Sequence, residues 1–360
     1  MMSVELLYMM SLCMTSLWGV VQSVKIQTFN AALLSNTDKY NVRKPKVIRA
    51  LESGDYDVMC LQEVWYGSDL ARLKKKLDKS VFVYTPPLFQ ERMLFGLLKA
   101  PPCHKAKPLT LACVALKCPF LANDYAALVD CIADCGILSE TQGCISCLVV
   151  SNWGALRCFN YLRGEAINVP GVVLLSKRKM NAVKTVEFEP NVKQITKRAY
   201  IEAEIEGVGT VFCSHSTSNT NTQFYEPNLK DVYASFEEQN LADSRKLTEA
   251  ASLSSKPLIM GDLNTSPEIP AFNVSAEFEV SYNHFLSEGF SSPYVSLVGK
   301  CTFCRLGNPL VKPGNENNVL DHVLVRNHTV LGAKRFYDQN IPGKDFPLSD
   351  HYGVEVEIGN

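Results

Sequence analysis

Eight side chains carry most of the chemistry open to this 360-residue sequence: Asn30, Glu63, His215, Asp262, Asn264, Asp321, Asp350 and His351. Each stands at the edge of a short apolar run with strand character. The plainest run is Pro257-Leu258-Ile259-Met260-Gly261-Asp262-Leu263-Asn264. Three apolar residues predict a buried strand, the glycine lets the backbone turn, and Asp262 and Asn264 follow two apart. On an extended chain such residues share a face, so a carboxylate and an amide address one spot. The carboxylate can hold a metal, a water or a proton, and the amide NH2 can donate to a phosphate oxygen.

The set holds two histidines, four carboxylates and two amides, with no obvious covalent nucleophile among them, and the sequence contains no glycine-rich nucleotide loop. Its oxygen donors suit a hard cation, Mg2+ or another divalent ion. Joined to a histidine base and an acid, they predict hydrolysis by activated water. Taken singly, each residue would serve equally well as a cap or a hydrogen-bonded structural group. Their shared position where strands emerge is what points to a site.

The elements that must position them follow from periodicity. Strands are predicted over Val24–Asn30, Asp57–Glu63, Val172–Ser176, Ala199–Ile205, Gly209–Ser214, Val319–Val325 and Val354–Ile358, besides the run at 257–262. Glu206-Gly207-Val208-Gly209 predicts a hairpin. Helices are predicted over Lys44–Glu52, Ser68–Lys79, Leu229–Leu253 and Tyr282–Glu288. Strands outnumber helices, which gives an α/β class or a mixed one with two packed sheets. His322, beside Asp321, points to the opposite strand face and reads as structural.

Composition sets outer bounds. A 46% hydrophobic, 20% charged chain of net charge −1 has the makings of a large core. It lacks the electrostatic footprint of strong nucleic-acid binding, though a nuclease with a brief grip stays open. Residues 1–23 read as a secretory signal peptide, with Leu6–Val21 as its apolar stretch; the alternatives are an uncleaved anchor and an apolar N-terminal helix. Thirteen cysteines, twelve of them after Cys13, fit an oxidising compartment. Eight lie in a segment at about 90–161 that reads as a disulfide-rich insertion. Cys60 and Cys213 sit in apolar strands and read as buried free thiols. Zinc at Cys144-Ile-Ser-Cys147 and Cys301-Thr-Phe-Cys304 is the competing reading of those spacings. The apolar excess of the insertion predicts either a covering subdomain or a surface that contacts lipid or a partner.

The ordered series FNAALL, LQEVW, VVLLS, CSHS, GDLN, LDHV and SDHYGV resembles the endonuclease/exonuclease/phosphatase superfamily of deoxyribonuclease I-like phosphodiesterases. The resemblance runs from residue 24 to the C-terminus and omits the cysteine-rich segment. It implies a two-sheet α/β sandwich, helices outside and the site at one end, as a single domain over 24–360. It also implies roles. Glu63 would be the main metal-holding residue, with Asn30 beside it and Asp350 assisting. His351 would be the general base and Asp321 its orienting carboxylate. His215 would help the leaving oxygen depart, while Asp262 and Asn264 position water and phosphate.

SDHYGV is similar to the closing motif of secreted neutral sphingomyelinases. That likeness, the apolar insertion and the neutral charge favour a phospholipid headgroup at a membrane surface, sphingomyelin cleaved to ceramide and phosphocholine by a secreted, Mg2+-dependent enzyme. The first alternative is a secreted deoxyribonuclease I-like endonuclease acting on nucleic acid, with Arg178, Lys193, Lys197 and Arg198 flanking its groove. The second is a non-catalytic binding protein on the same scaffold. No protein partner can be inferred.

Overall fold

The computed structural model describes residues 23–90, 92–93, 98–118, 125–151, 156–160, 164–220 and 229–359. Of the expected signal peptide, 1–23, residues 1–22 lie outside them and Ser23 opens the first strand. In chain order the strands are β1 (Ser23–Leu33), β2 (Val58–Val64), β3 (Phe82–Tyr84), β4 (Arg92–Met93), β5 (Leu98–Lys99), β6 (Val173–Ser176), β7 (Met180–Glu187), β8 (Ala199–Ile205), β9 (Gly209–His215), β10 (Pro257–Asp262), β11 (Asp321–Val325), β12 (Thr329–Phe336) and β13 (Gly353–Gly359). One sheet runs β12-β13-β1-β2-β6-β3 and the other β11-β10-β9-β8-β7; β4 and β5 form a separate ribbon. This is the two-sheet α/β sandwich expected.

Alternation along each strand explains the layering. In β9, Val211 and Cys213 turn inward while Phe212 turns outward, as a period of two requires. Val24, Ile26, Val58 and Leu174 of the first sheet meet Ile201, Val211, Leu258 and Met260 of the second in the central core. Burying each such side chain stabilises the fold by about 1.5–3 kcal/mol. Helices α1 (Tyr40–Glu52) and α2 (Gly67–Lys76) cover the first sheet. Four short helices, α3 (Pro108–Lys117), α4 (Tyr125–Asp134), α5 (Gln142–Val150) and α6 (Leu156–Phe159), make up the cysteine-rich segment. On the second sheet, Phe212 and Ile259 pack against Leu247 and Ala251 of α7 (Phe236–Ser252) and Phe285 of α8 (Glu279–Ser287).

The disulfides revise one expectation. Cys60 and Cys213 are not free thiols: they are bonded to each other, S–S 2.00 Å, stitching β2 to β9 across the core. Each faces inward on its own strand, and a separation of 153 positions hides the pairing from a local reading. The cysteine-rich segment is closed by Cys103–Cys144, Cys113–Cys135, Cys118–Cys131 and Cys147–Cys158, and Cys301–Cys304 closes the remaining loop. Every cysteine with zinc spacing is therefore consumed, and zinc is excluded there. Six disulfides belong to an oxidising, extracellular-type environment. No helix among the described residues is long and apolar enough to cross a membrane.

Five strands escape the sequence reading: β3, β4 and β5 are only two or three residues long, and β7 and β12 are edge strands without a buried residue, so their pattern is weak. The predicted helix over Leu229–Leu253 begins only at Phe236. Ser235 caps it by accepting from Glu238 N at 3.1 Å, and Glu238 Oε2 accepts from Ala234 N at 2.7 Å, a capping box one residue out of its usual register.

Candidate active site

Two parallel crossovers bring the candidate residues to one end of the sandwich. β1 and β2 run parallel, joined through α1, and so do β9 and β10, joined through α7. The C-terminal ends of these four strands carry Asn30, Glu63, His215 and Asp262, the position where α/β sheets build sites. Asp321 opens β11 directly opposite Asp262, and Asp350 and His351 sit just before β13, antiparallel to β1. Backbone geometry at this end is specialised. A Cβ on Gly261 would fall 1.9 Å from Ser214 O, so only glycine lets β10 approach β9 there. Glu63 (φ 59°) and Asn264 (φ 51°) take the left-handed conformation, disfavoured for a side chain and typical of functional positions.

The side chains form one connected network. Asn30 Nδ2 donates to Asp262 Oδ2 at 2.9 Å and to Glu63 Oε1 at 3.2 Å. Asp262 Oδ1 accepts from Asn264 N at 3.1 Å, and its Oδ2 lies 3.4 Å from His215 Nε2 and 3.8 Å from His351 Nε2. His351 Nδ1 is 2.8 Å from Asp321 Oδ2. Ser349 Oγ donates to Asn30 O at 2.7 Å and to Asp350 Oδ1 at 3.1 Å. All eight residues singled out in the sequence thus gather at one place, although Asn30 and Asp262 stand 232 residues apart.

Electrostatics divide the two histidines. Burial lowers His215 well below its usual 6.5, and the charges of Arg198 and His351 add to the effect, so it is neutral. Burial alone would lower His351 as well, but Asp321 and Asp262 reverse this and hold it well above 6.5. Burial, then the charge of Asp350, lifts Glu63 to about 7. Burial lifts Asp262 to about 6, with His351 opposing the rise.

That excess of carboxylate is what a cation would relieve. The charges of Asp350 and Asp262 both push Glu63 up, and Asp321 Oδ1 has no hydrogen-bond partner among the described residues. Asp262, Asp321 and His351 each offer a ligand atom, all within 4.8 Å of one another, so the spacing can hold a divalent metal. A hard oxygen-rich donor set of this kind fits such an ion.

Several supporting residues lay beyond the sequence reading. Arg43 is fully buried in α1 and donates to Ala32 O at 2.8 Å and Leu348 O at 2.9 Å, tying the end of β1 to the segment that leads into His351. Thr302, held in the Cys301–Cys304 loop, accepts from Leu320 N and Asp321 N at 3.0 and 3.2 Å. The Phe303 ring packs on His351 with centroids 4.9 Å apart. From α7, Asn240 Nδ2 donates to Thr217 O at 2.6 Å and Leu263 O at 3.0 Å, bridging the loops after His215 and Asp262. Asp243 Oδ2 accepts from Thr217 N and Oγ1 at 3.0 and 2.7 Å. A signal for these was present: Asn240, Asp243, Leu247 and Ala251 share one helical stripe, with polar residues where apolar ones are usual.

The four cations expected to flank a groove do not stay together. Arg178 follows Ser176, which pairs with Val58 at the opposite end of β2 from Glu63, and it bonds Asp57. Lys193 reaches Ser139 O of the cysteine-rich segment, and Lys197 Nζ caps the carbonyls of Glu189 and Val192. Arg198 alone lies beside the site: it precedes Ala199, which pairs with His215, and its charge acts on both His215 and Asp262.

Comparison with known proteins agrees with this geometry. Similar folds occur in truncated TDP2 of Caenorhabditis elegans, with 13% identity over 94% of this chain and 98% of that one, TM-score 0.51. The 3′-5′ exonuclease NExo of Neisseria meningitidis has 14% identity over 94% of this chain and all of its own, TM-score 0.52. SmcL has 14% identity over 94% and 99%, TM-score 0.52. These likenesses speak to fold alone, and no curated protein matches. The pattern of the Endonuclease/Exonuclease/phosphatase family matches residues 28–351, from within β1 to His351, and the chain belongs to that family.

Proposed function

We propose that this chain is a divalent-metal-dependent phosphodiesterase of deoxyribonuclease-like action, cleaving a P–O ester bond with water. The Asp321–His351 pair carries the proposal: a carboxylate 2.8 Å from Nδ1 fixes the ring with Nε2 turned toward Asp262. Asp321 and Asp262 favour the protonated ring, so His351 works as base once deprotonated, on the alkaline side of its raised value: Nε2 then takes the proton of the attacking water, and the two carboxylates stabilise the imidazolium as it forms. Neutral His215 donates a hydrogen bond to the departing ester oxygen. Asp262 orients the water, and the second N–H of Asn264, whose first is held by Ser216 O at 3.1 Å, donates to a phosphate oxygen. Glu63, Asn30 and Asp350, rather than the Asp262–Asp321–His351 cluster whose histidine the reaction needs free, would hold the metal, Mg2+ in the first instance, which would supply Lewis-acid polarisation of the phosphoryl group. The products are a phosphomonoester and an alcohol.

For the substrate, a nucleic-acid strand is the first reading. NExo, of the same fold, is described with a product DNA hairpin, and the charge of Arg198, which also donates to Ser218 Oγ at 3.0 Å, acts beside His215 where a backbone phosphate would sit. A specific observation favours a second reading, a sphingomyelin headgroup: three of the four expected groove cations are bound elsewhere, leaving little to track a polyanion. A leader at 1–23, secretion, and a 24–360 catalytic unit interrupted at about 90–161 complete the proposal, supported by the six disulfides. The test is hydrolysis of plasmid DNA and of sphingomyelin liposomes, each with Mg2+ and with EDTA. Metal-dependent DNA cleavage alone supports the first reading, and lipid cleavage alone transfers it to the second. Activity that survives EDTA removes the metal from the proposal. A folded protein inert toward both substrates leaves the binding-scaffold alternative.

A further inference from the structure

We propose that the outer face of α3 is a docking surface for an anionic phospholipid bilayer. Helix α3 is apolar nearly all round, yet only one side is used. Thr110 and Val114 are buried within the disulfide-closed segment, while Leu109 and Leu116 are 86% and 75% exposed. With Ala112 they stand at i, i+3 and i+7, which puts them on one helical face. Other exposed leucines, such as Leu253, Leu297 and Leu306, belong to separate elements. Two solvent-facing leucines two turns apart on one short helix, with Ala112 between them, form an apolar stripe that water disfavours.

Charge selects the occupant. From Leu98 to Cys118 the chain carries four lysines, Lys99, Lys105, Lys107 and Lys117, and no aspartate or glutamate, in a protein of net charge −1. All four lysines are exposed; Lys107, whose Nζ donates to Ser139 Oγ at 3.2 Å and whose backbone N–H donates to Glu140 Oε1 at 3.1 Å, and Lys117 bracket the leucine face at the two ends of α3. Apolar side chains that insert among acyl chains, ringed by cations that meet anionic headgroups, are the chemistry of an interfacial helix. A nucleic acid would use the lysines but has no use for the leucines.

The surface is anchored to the catalytic end. Ser35 N and Asn36 Nδ2, just beyond β1, donate to Val150 O and Val149 O at 3.2 and 3.1 Å. Tyr66 Oη, just beyond β2, donates to Val150 O at 2.8 Å. The segment therefore rests on the same strand ends that carry Asn30 and Glu63. The proposal does not depend on which phosphodiester is cleaved.

The experiment is sedimentation of the full chain with vesicles of phosphatidylcholine, with and without phosphatidylserine, over a range of salt. Binding is expected to need phosphatidylserine and to weaken as salt rises. Leu109→Ser with Leu116→Ser is expected to lower partitioning ~10-fold or more, and Lys107→Glu with Lys117→Glu to abolish the phosphatidylserine dependence. Both pairs should hydrolyse bis(p-nitrophenyl) phosphate at the wild-type rate, which shows that fold and site are intact. No sedimentation with either vesicle overturns the proposal, as does binding that the leucine pair leaves unchanged. Oligonucleotide binding lost only in the lysine pair, without vesicle binding, reassigns the surface to nucleic acid.

Discussion

The strand-end site and the cysteine-rich segment solve the same problem, holding side chains in place, by different forces. At the site the sheets do the work: β1, β2, β9 and β10 are paired through the core, and buried polar groups lock the loops that leave them. In the segment, helices of 10, 10, 9 and 4 residues are too short to be stable alone, and four disulfides add to the burial of Ile132, Ile137, Ile145 and Leu148 against the first sheet's core. Precision is thus concentrated where chemistry needs it, and the segment is free to present a surface. Variants on either side should separate cleanly, because catalysis reads one region and membrane attachment the other.

The largest separation is expected from His351→Ala. Loss of the base lowers kcat by about 10²–10⁴-fold, measured on a soluble diester, while near-ultraviolet circular dichroism and vesicle binding stay as in wild type. Near-normal turnover by that folded variant would end the base assignment. Stability, by contrast, depends most on the disulfide that crosses the core. Chain-entropy reasoning gives Cys60–Cys213, closing 153 residues, about 5 kcal/mol. For Cys147–Cys158, closing 11, it gives about 3 kcal/mol. Replacing each pair with alanine and measuring urea midpoints checks the order. Equal losses would mean that the sheets, not the crosslink, hold β2 to β9.

Asn240 tests whether the site's rigidity is borrowed from α7. Asn240→Ala removes both bonds that tie the loops after His215 and Asp262. A displacement on the order of 1 Å costs about 10²-fold in rate, so kcat should fall by that order with KM little changed. Asn240→Asp should do worse, since its carboxylate would face two carbonyl oxygens. A merely structural role would instead lower the melting temperature and leave kcat intact in the folded fraction.

How much of this was legible in the sequence follows from the reach of each interaction. Asp262 and Asn264 were readable because a strand period ends on them, and Asp321 and His351 because one begins at or just after them. Arg43 was not, because nothing local distinguishes a helical arginine that reaches Ala32 O and Leu348 O from one in solvent. The Cys60–Cys213 bond was missed because each residue looks like an ordinary apolar strand position, and only the facing of the two sheets makes them partners. The same holds for the groove cations, where four basic residues looked equivalent until topology sent Arg178 to the far end of β6 and left Arg198 beside His215. Edge strands β7 and β12 show the other limit, since a strand bordered by solvent has little hydrophobic period to read.

Asp243 gives the smallest effect and the finest test of that borrowed rigidity. Its carboxyl is buried beneath Thr217, and burial lifts it to about 7 against opposing hydrogen bonds from Thr217. An unfolded aspartate titrates near 3.9. Between those values the native state holds a proton that the unfolded chain has lost, so this group makes stability fall as pH rises from about 4 to about 7, and it adds no slope above that. Asp243→Asn keeps an oxygen to accept from Thr217 N and Oγ1 but cannot ionise. The variant should therefore gain melting temperature relative to wild type as pH climbs through this window, with the difference constant beyond it. A difference that shrinks with rising pH would mean that the carboxylate is stabilised in its charged form, and that α7 grips the His215 loop through an ion rather than through neutral hydrogen bonds.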